Sequence, residues 1–336
     1  MTTLQNHNNN FHLLRHMSAL VVLFTHAFAA NGNEDFFYHG FMANMGLSSI
    51  GVKIFAVISG YLVTKSLLQT SSRWRFTRKR LLRLWPALFV VSFLLSFVVG
   101  PLISSLPVAS YFSHKQTWCF FFRNIVFLPV YELPGVYGGA SLNSTYWTLF
   151  FETVCYALLL IIGKNMLLKY YKAITWLWVL VMLFNYFVPP AVIPWPSRLH
   201  SFLDGISDMM FLFFTASLWF LHTRNKSLPS KKIYLVALAV FMVTVVISIP
   251  AYCRWIQQLS LLLFVIEWGR SKPILKRPAW DISYGIFLLG FAVEMIVVHT
   301  IRPSSSMIVF FISLLITVPL AFALWYGIEK QALKRK

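Results

Sequence analysis

Residues 13–27 read "LRHMSALVVLFTHAF", an apolar run of the kind that crosses a bilayer. A bilayer core needs about 20 mostly apolar residues per helix, and a helix over residues 12–31 has that length. The run nevertheless contains Arg15 near one end and His26 near the other. Polar side chains inside a membrane are costly, so they usually face the interior of a helix bundle or a wet cavity. The presence of these two residues therefore calls for a reason.

The composition of the whole chain is that of an integral membrane protein. Of its 336 residues, 58% are hydrophobic and only 12% are charged. Stretches long and apolar enough to span a bilayer lie at about 12–31, 46–68, 84–104, 146–163, 173–190, 206–222, 233–250, 252–268, 282–300 and 306–327. The sequence thus predicts an all-α polytopic membrane protein with about ten transmembrane helices and a single domain over 1–336.

The basic residues predict the orientation of the helices. The chain has 29 Lys and Arg against 10 Asp and Glu, a balance that in a soluble protein would suggest a nucleic-acid partner. With the N-terminus inside, 22 of the basic residues fall in inner segments and five in outer ones. Cytoplasmic loops of membrane proteins collect Lys and Arg. We therefore expect both termini in the cytoplasm, an outer loop at about 105–145, a cytoplasmic basic tail at 328–336, the lipid bilayer as partner and no nucleic acid.

The cysteines indicate neither a disulfide framework nor a metal site. Cys119, Cys155 and Cys253 are scattered and show no Cys-x-x-Cys or Cys/His ligand spacing. We interpret them as small buried hydrophobic residues.

Arg15 and His26 lie on one stripe of the first helix. They are 11 residues apart, which returns to within about 20° of the same helix face and separates them by about 16 Å along the axis. An arginine at an inner helix end commonly extends to the lipid headgroups. A histidine in the outer half of a span either hydrogen-bonds a neighbouring helix or, because it titrates near neutral pH, serves as a general base.

Other polar residues fall at comparable depths. Glu152 lies about two turns below the outer end of the fourth span, close in depth to His26. Glu294 and His299 lie in the outer layer of the ninth span, where a hydrogen bond to a neighbouring helix is the simplest role for Glu294 and an interfacial position suits His299. The segment 73–83, "RWRFTRKRLLR", holds six basic residues. It is either a cytoplasmic anchor or a binding site for a phosphorylated ligand, since arginine grips phosphate with two hydrogen bonds.

Five segments of the chain, which follow one another in the same order as the family's motifs, resemble acyltransferase family 3. These proteins are integral-membrane O-acyltransferases of bacterial surface polysaccharides, O-antigens, nodulation factors and related glycans. "LRHMSALVVLFTHAF" is similar to the family's R-x10-H, "GVKIFAVISGYLV" to its GV-x-x-F-F-x-x-SG, and "RKRLLRLWPAL" to its R-x-x-R followed by Pro. "NSTYWTLFFETVCY" is similar to W-S/T-L-x-x-E-x-x-Y, and "ISYGIFLL" to the late I-S-Y-x-x-Y-L.

The resemblance implies an enzyme, an O-acetyltransferase of the bacterial inner membrane. Its acyl donor would be acetyl-CoA from the cytoplasm, which is a substrate, and no metal is expected. Its acceptor would be a hydroxyl of a cell-surface or exported glycan, such as an O-antigen, exopolysaccharide or capsule, either lipid-linked or already at the surface.

The family pattern also implies roles for five residues. Arg80 and Arg83 would hold the phosphates of CoA, and Arg15 would support the pantetheine arm or a phosphate near the same level. His26 would act as the general base that takes the proton of the acceptor hydroxyl. Glu152 would orient His26 or raise its basicity through a hydrogen bond. The catalytic set is therefore His26, Glu152 and Arg15, and the donor-binding set is Arg80, Arg83 and Arg15.

Two positions depart from the family pattern, and two other functions stay open. Lys53 stands where many members have an acidic residue, and Gly290 stands where many have a histidine. Intramembrane Arg, His and Glu also form proton relays, so a secondary transporter of an anionic or glycan-linked substrate is the leading alternative. A structural or sensory membrane protein is the third, although it leaves the five ordered segments unexplained.

Overall fold

A computed structural model describes residues 9–33, 46–187, 197–226, 231–247, 254–276 and 278–335, and the side chains of these except 182–187 and 197–207. The regular structure of these residues is helical, and they contain no strand. The all-α prediction is therefore confirmed. The helices are α1 Phe11–Ala30, α2 Leu47–Gln69, α3 Arg73–Leu94, α4 Gly100–Ile103, α5 Val108–Ser113, α6 Lys115–Ile125, α7 Tyr146–Phe187, α8 Ser197–Thr223, α9 Lys231–Val246, α10 Arg254–Arg270, α11 Ser283–Ile301, α12 Ser306–Leu324 and α13 Lys330–Lys334.

Six helical segments in the described part of the chain are long and apolar enough to cross a membrane. They are Phe11–Ala30, Leu47–Gln69, Arg73–Ile103, Tyr146–Val181, Ser283–Ile301 and Ser306–Lys334. By contrast, α9 has 16 residues and α10 has 17, which is short for a bilayer core of about 30 Å. The chain is a multi-pass membrane protein. The count of ten spans and the orientation of the termini stay predictions.

The fourth and fifth predicted spans belong to one long element. α7 has 42 residues and is broken at Gly163, where φ is 73° and ψ is 162°. Glycine adopts this conformation without the strain that a Cβ would cause. The second helical half begins directly after the break, and the loop expected at 164–172 is helical. Residues 188–190, 248–250 and 252–253, which end or begin the fifth, seventh and eighth predicted spans, lie outside the described residues.

The chain divides into two compact units. The first comprises Met1–Leu14, Val52–Arg73 and Val154–Arg277, and the second comprises Arg15–Gly51, Trp74–Thr153 and Pro278–Lys336. Each unit is therefore assembled from three separated stretches of sequence. The prediction of a single domain over 1–336 stays a prediction.

In the first unit, α2 packs closely against α8. A Cβ at Gly60 would collide with the backbone of Phe213, so only glycine permits this approach of the two helices. One end of the contact is polar, because Lys53 Nζ lies 3.0 Å from Asp208 Oδ2 and Gln258 donates a hydrogen bond to Asp208 Oδ1 at 2.6 Å. Lys53, which departs from the family pattern, thus has a carboxylate partner in α8.

In the second unit, α1, α11 and α12 share an apolar core. Ala27 of α1 packs with Val293, Val297 and Val309 of the other two helices. α3 and α12 each end in a π-helical turn, at Leu95–Val99 and Trp325–Glu329. Such a turn inserts an extra residue and changes the direction of the side chains that follow.

The outer loop predicted at 105–145 is a packed segment of the second unit. It contains α5, α6 and a short 3₁₀ turn at Tyr137–Gly139. Tyr111 is fully buried, and its hydroxyl donates a hydrogen bond to the carbonyl of Ser96 at 2.8 Å. Burial, partly offset by a hydrogen bond with Thr117, raises the pKa of Tyr111 to about 12. Tyr111 therefore stays neutral and ties α5 to the end of α3.

The cysteine prediction is confirmed in part. Cys155 is buried, Cys119 is half-buried, and neither is disulfide-bonded. Cys253 lies outside the described residues.

Candidate active site

Asp281, a buried carboxylate at the beginning of α11, forms ion pairs with arginines of two other helices. Its Oδ2 lies 3.0 Å from Nη2 of Arg83 and 3.6 Å from Nη1 of Arg15. Ser283 donates a hydrogen bond to its Oδ1 at 2.6 Å. Glu329 joins this group through Arg83, whose Nη1 lies 3.4 Å from Glu329 Oε2. We call these five residues the Asp281 cluster.

The cluster is assembled from elements that are far apart in the sequence. Arg15 comes from α1 and Arg83 from α3, while Asp281 and Ser283 stand at the N-terminal end of α11. Glu329 is the last residue of the π-helical turn after α12, which directs its carboxylate towards Arg83. Arg83 thus bridges two carboxylates, and the two ends of this bridge fix α3 against α11 and α12.

The pKa of Asp281 is set by opposing effects. Burial by itself raises the pKa of this carboxyl, but the positive charges of Arg83 and Arg15 and the hydrogen bond from Ser283 together lower it well below its usual range. Opposite charges close by and donors to the ionised form both favour a carboxylate. Asp281 is therefore a permanent anion that holds two guanidinium groups in place.

Two further residues surround Arg83. Its guanidinium carbon lies 5.8 Å from the centre of the Tyr284 ring, and the Tyr284 hydroxyl donates a hydrogen bond to the carbonyl of Leu84 at 2.9 Å. Glu152 of α7 lies close enough for its charge to act on both Arg83 and Tyr284. The structure therefore places Glu152 in the electrostatic environment of the Asp281 cluster.

His26 lies apart from that cluster on the same helix as Arg15. Its half-buried imidazole contacts the ring of Phe291 edge to face, with centroids 5.1 Å apart and an interplanar angle of 81°. Within the described part of the chain, the imidazole makes no hydrogen bond. The expected hydrogen bond between Glu152 and His26 is thus not formed. Glu152 lies instead where its charge acts on Arg83.

Arg80 and Arg83 occupy different environments although they are one turn apart. Arg80 is half-buried, and its guanidinium carbon lies 5.9 Å from the centre of the Phe76 ring. Arg83 is bound to Asp281 and Glu329. The structure therefore brings Arg15, Arg83 and Glu152 into one charged region and leaves His26 nearer the C-terminal end of α1.

Sequence reasoning missed Asp281, Ser283, Tyr284 and Glu329. Ser283 and Tyr284 belong to "ISYGIFLL", a segment of the family resemblance in which they were given no role, and Asp281 directly precedes it. Glu329 stands at the start of a tail that reads as a basic anchor. The available signal was that Asp281 and Glu329 each lie at the end of an apolar span, on the side where the orientation predicted from the basic residues also places the arginine-rich segment 73–83.

Comparison with known proteins decides the family. The model of acyltransferase family 3, described as an acyltransferase domain, matches residues 8–326. The chain belongs to acyltransferase family 3. This acyltransferase is similar to the "O-acetyl transferase" of Shigella phage Sf6, with 26% identity over 345 aligned positions that cover 98% of this chain and 97% of the relative.

A second relative of the acyltransferase comes from a bacterium. "Nodulation protein 10" of Rhizobium leguminosarum bv. viciae is 35% identical over 160 positions, which cover 45% of this chain and 42% of the relative. No solved structure matches the acyltransferase. The resemblance seen in the sequence is confirmed, and the protein is a membrane-embedded O-acyltransferase enzyme. The roles assigned to individual residues stay predictions.

Proposed function

We propose that this acyltransferase takes the acetyl group of cytoplasmic acetyl-CoA and transfers it to a hydroxyl of a cell-surface or exported glycan. We place the reaction in the bacterial inner membrane. The acetyl group and the oxygen acceptor are supported by the phage relative, which is called an O-acetyl transferase and aligns over 98% of the chain. The basic segment at 73–83 supports a cytoplasmic position for the donor end.

The observation that carries the proposal is the arrangement of α1. Arg15 at its beginning belongs to the Asp281 cluster, and His26 lies 11 residues further along the same helix. These positions are about 16 Å apart along the helix axis. One helix thus joins the guanidinium of Arg15, which we assign to the donor, with an imidazole that we assign to the acceptor, and these roles account for both polar residues in a membrane helix.

At the donor end, Arg15 and Arg80 are the residues we assign to the CoA phosphates. The side chain of Arg15 is 26% exposed, whereas that of Arg83 is 17% exposed and bridges two carboxylates. Arg83 contributes its positive charge and, through Asp281, holds Arg15 in place. This differs from the family-based expectation, in which Arg80 and Arg83 form one phosphate clamp.

At the acceptor end, His26 is the general base. A neutral imidazole nitrogen takes the proton of the sugar hydroxyl while the hydroxyl oxygen attacks the thioester carbonyl. The C–S bond then breaks, CoA leaves as a thiolate, and the imidazolium returns its proton to the sulfur. A positioned base contributes about 10²- to 10⁴-fold to such a reaction. The absence of a hydrogen bond between His26 and any described residue leaves the ring available for this role.

The test uses purified acyltransferase in liposomes. Radiolabelled acetyl-CoA is offered together with a lipid-linked glycan extract from cells that lack this protein, and base-labile label on the glycan is measured. We expect labelled glycan and stoichiometric release of free CoA thiol. Movement of CoA or glycan across the bilayer without any acetylated product would instead support the transporter alternative. Transfer of another acyl group in preference to acetyl would correct the donor.

A further inference from the structure

Glu294 is a buried carboxyl group that the Asp281 cluster does not use. It lies in α11 and is 0% exposed. Both carboxylate oxygens lack a hydrogen-bond partner among the described residues. The hydrogen bond to a neighbouring helix that the sequence suggested is therefore not formed with any residue that the structure describes. A buried polar group without a partner is costly, so its presence calls for an explanation.

The packing of α11 against α1 shows where Glu294 points. A Cβ at Gly290 would meet Leu23 of α1, at 2.7 Å from its Cδ1. Further along both helices, Val297 packs with Ala27. The two helices therefore run in the same direction, and Glu294 lies between the two contact points. At 100° per residue, Glu294 is about 40° from Gly290 around the helix, so it is on the side that faces α1.

Glu294 is level with His26. Leu23 marks the level of Gly290, and His26 is three residues beyond Leu23 while Glu294 is four residues beyond Gly290. With a rise of about 1.5 Å per residue, the two Cα atoms differ in height by about 2 Å. The ring of Phe291, which contacts His26, projects from α11 on the same side, about 60° from Glu294. Two polar groups without hydrogen bonds to any described residue thus lie at one level of the contact between α1 and α11.

The chemistry of these two groups defines what fits between them. A fully buried carboxyl group with no cation or hydrogen-bond donor beside it is uncharged. It offers one O–H donor and one carbonyl acceptor, while the nitrogen of imidazole that acts as a base accepts one hydrogen bond. Neighbouring hydroxyls of a sugar ring, each of which can donate and accept, match both groups.

We propose that Glu294 binds the acceptor, accepting a hydrogen bond from a sugar hydroxyl adjacent to the one that His26 deprotonates. The acceptor unit at this position is then a sugar with neighbouring hydroxyls. This inference rests on the proposed function and adds the residue and the sugar chemistry that select the acceptor.

The test compares four variants of the full chain in liposomes: Glu294→Leu, Glu294→Gln, Glu294→Asp and, as control, Ser313→Ala. Ser313 of α12 is equally buried, and its hydroxyl has no hydrogen bond in the described part of the chain. The acceptor probe is the lipid-linked glycan extract, titrated at saturating acetyl-CoA. The half-saturating amount of extract, the maximal rate and the half-saturating acetyl-CoA concentration are measured for each variant.

We expect Glu294→Leu to raise the half-saturating amount of extract by at least tenfold, which corresponds to about 1.4 kcal/mol, because the variant leaves the sugar hydroxyl without its hydrogen-bond partner. The half-saturating acetyl-CoA concentration should stay within about twofold of wild type, which also shows that the variant is folded. Glu294→Gln, which keeps one acceptor oxygen, and Glu294→Asp should lie between Leu and wild type. Ser313→Ala should match wild type.

Three results would overturn the inference. The first is an unchanged half-saturating amount of extract in Glu294→Leu. The second is a loss confined to the maximal rate, which would make Glu294 a positioning residue for His26. The third is a parallel loss of acetyl-CoA binding in Leu, Gln and Asp variants, which would make the role structural. If wild type itself transfers no acetyl group to the extract, the proposed function fails and this inference falls with it.

Discussion

Replacing Asp281 by Asn should destabilise the protein substantially. At 3.0 Å, the attraction between Asp281 and Arg83 amounts to about 5 kcal/mol at an effective dielectric constant of about 20. Removing one partner of a buried ion pair costs about 3–5 kcal/mol, because it leaves the other charge uncompensated. Arg83 retains Glu329 at 3.4 Å. We therefore expect a loss near the lower end of that range, about 3 kcal/mol.

The assay is equilibrium unfolding in mixed micelles, combined with a double-mutant cycle. Asp281→Asn, Arg83→Gln and the double variant are compared, and the coupling energy should reach at least about 1.5 kcal/mol because the two side chains are in contact. Glu132→Gln is the control, since Glu132 is an exposed carboxylate and should change stability by less than about 0.5 kcal/mol. An Asp281→Asn variant that matches this control would refute the reasoning that Asp281 organises the site.

Four further outcomes follow from the structure and the sequence. Because the pKa of Asp281 is lowered in the folded protein, its contribution to stability is complete above its unfolded pKa of about 4 and is lost only as pH falls below that value. The thermal midpoints of wild type and Asp281→Asn should therefore differ by the same amount at pH 5 and pH 8. Gly60→Ala should lower stability by about 1–3 kcal/mol in micelle unfolding because its Cβ meets the backbone of α8, whereas Gly327→Ala, which meets nothing within 4 Å, should not. Arg80→Ala should weaken acetyl-CoA binding at least about tenfold without loss of protein. Arg80→Lys should recover only part of the affinity, because lysine keeps the charge but loses the planar fork. Unchanged affinity in Arg80→Ala would leave Arg80 with an anchoring role only. A thiol placed at Arg78 should react with an impermeant reagent only in inverted vesicles, and labelling in intact cells would reverse the predicted orientation.

Hydrophobicity predicts much of the fold because the bilayer leaves few alternatives. A spanning segment in lipid must satisfy its own backbone hydrogen bonds, so a long apolar run becomes a helix. The first span was expected at 12–31 and is observed as Phe11–Ala30. The break in α7 was harder to place, because it depends on the positive φ of Gly163 rather than on a polar loop. The short helices α5 and α6 form through tertiary packing within the segment predicted as an outer loop, and hydropathy does not predict such packing.

The candidate site is less predictable than the spans. The depths of Arg15 and His26 follow from helix geometry, so their relation on α1 could be anticipated. The pairing of Arg83 with Asp281 and Glu329 could not, since it depends on how three helices pack and on a π-helical turn. The same packing explains why Glu152 lies near Arg83 and makes no hydrogen bond with His26.

The most direct test of the account is acetyl transfer by His26→Gln. Glutamine keeps a polar side chain able to hydrogen-bond, so a packing role would survive the change with modest loss. A general base would not, because an amide takes up no proton near neutral pH. We predict that purified His26→Gln accumulates and binds acetyl-CoA as wild type does, and transfers acetyl to glycan at least about 10²-fold more slowly. Near-native transfer by this variant would contradict it.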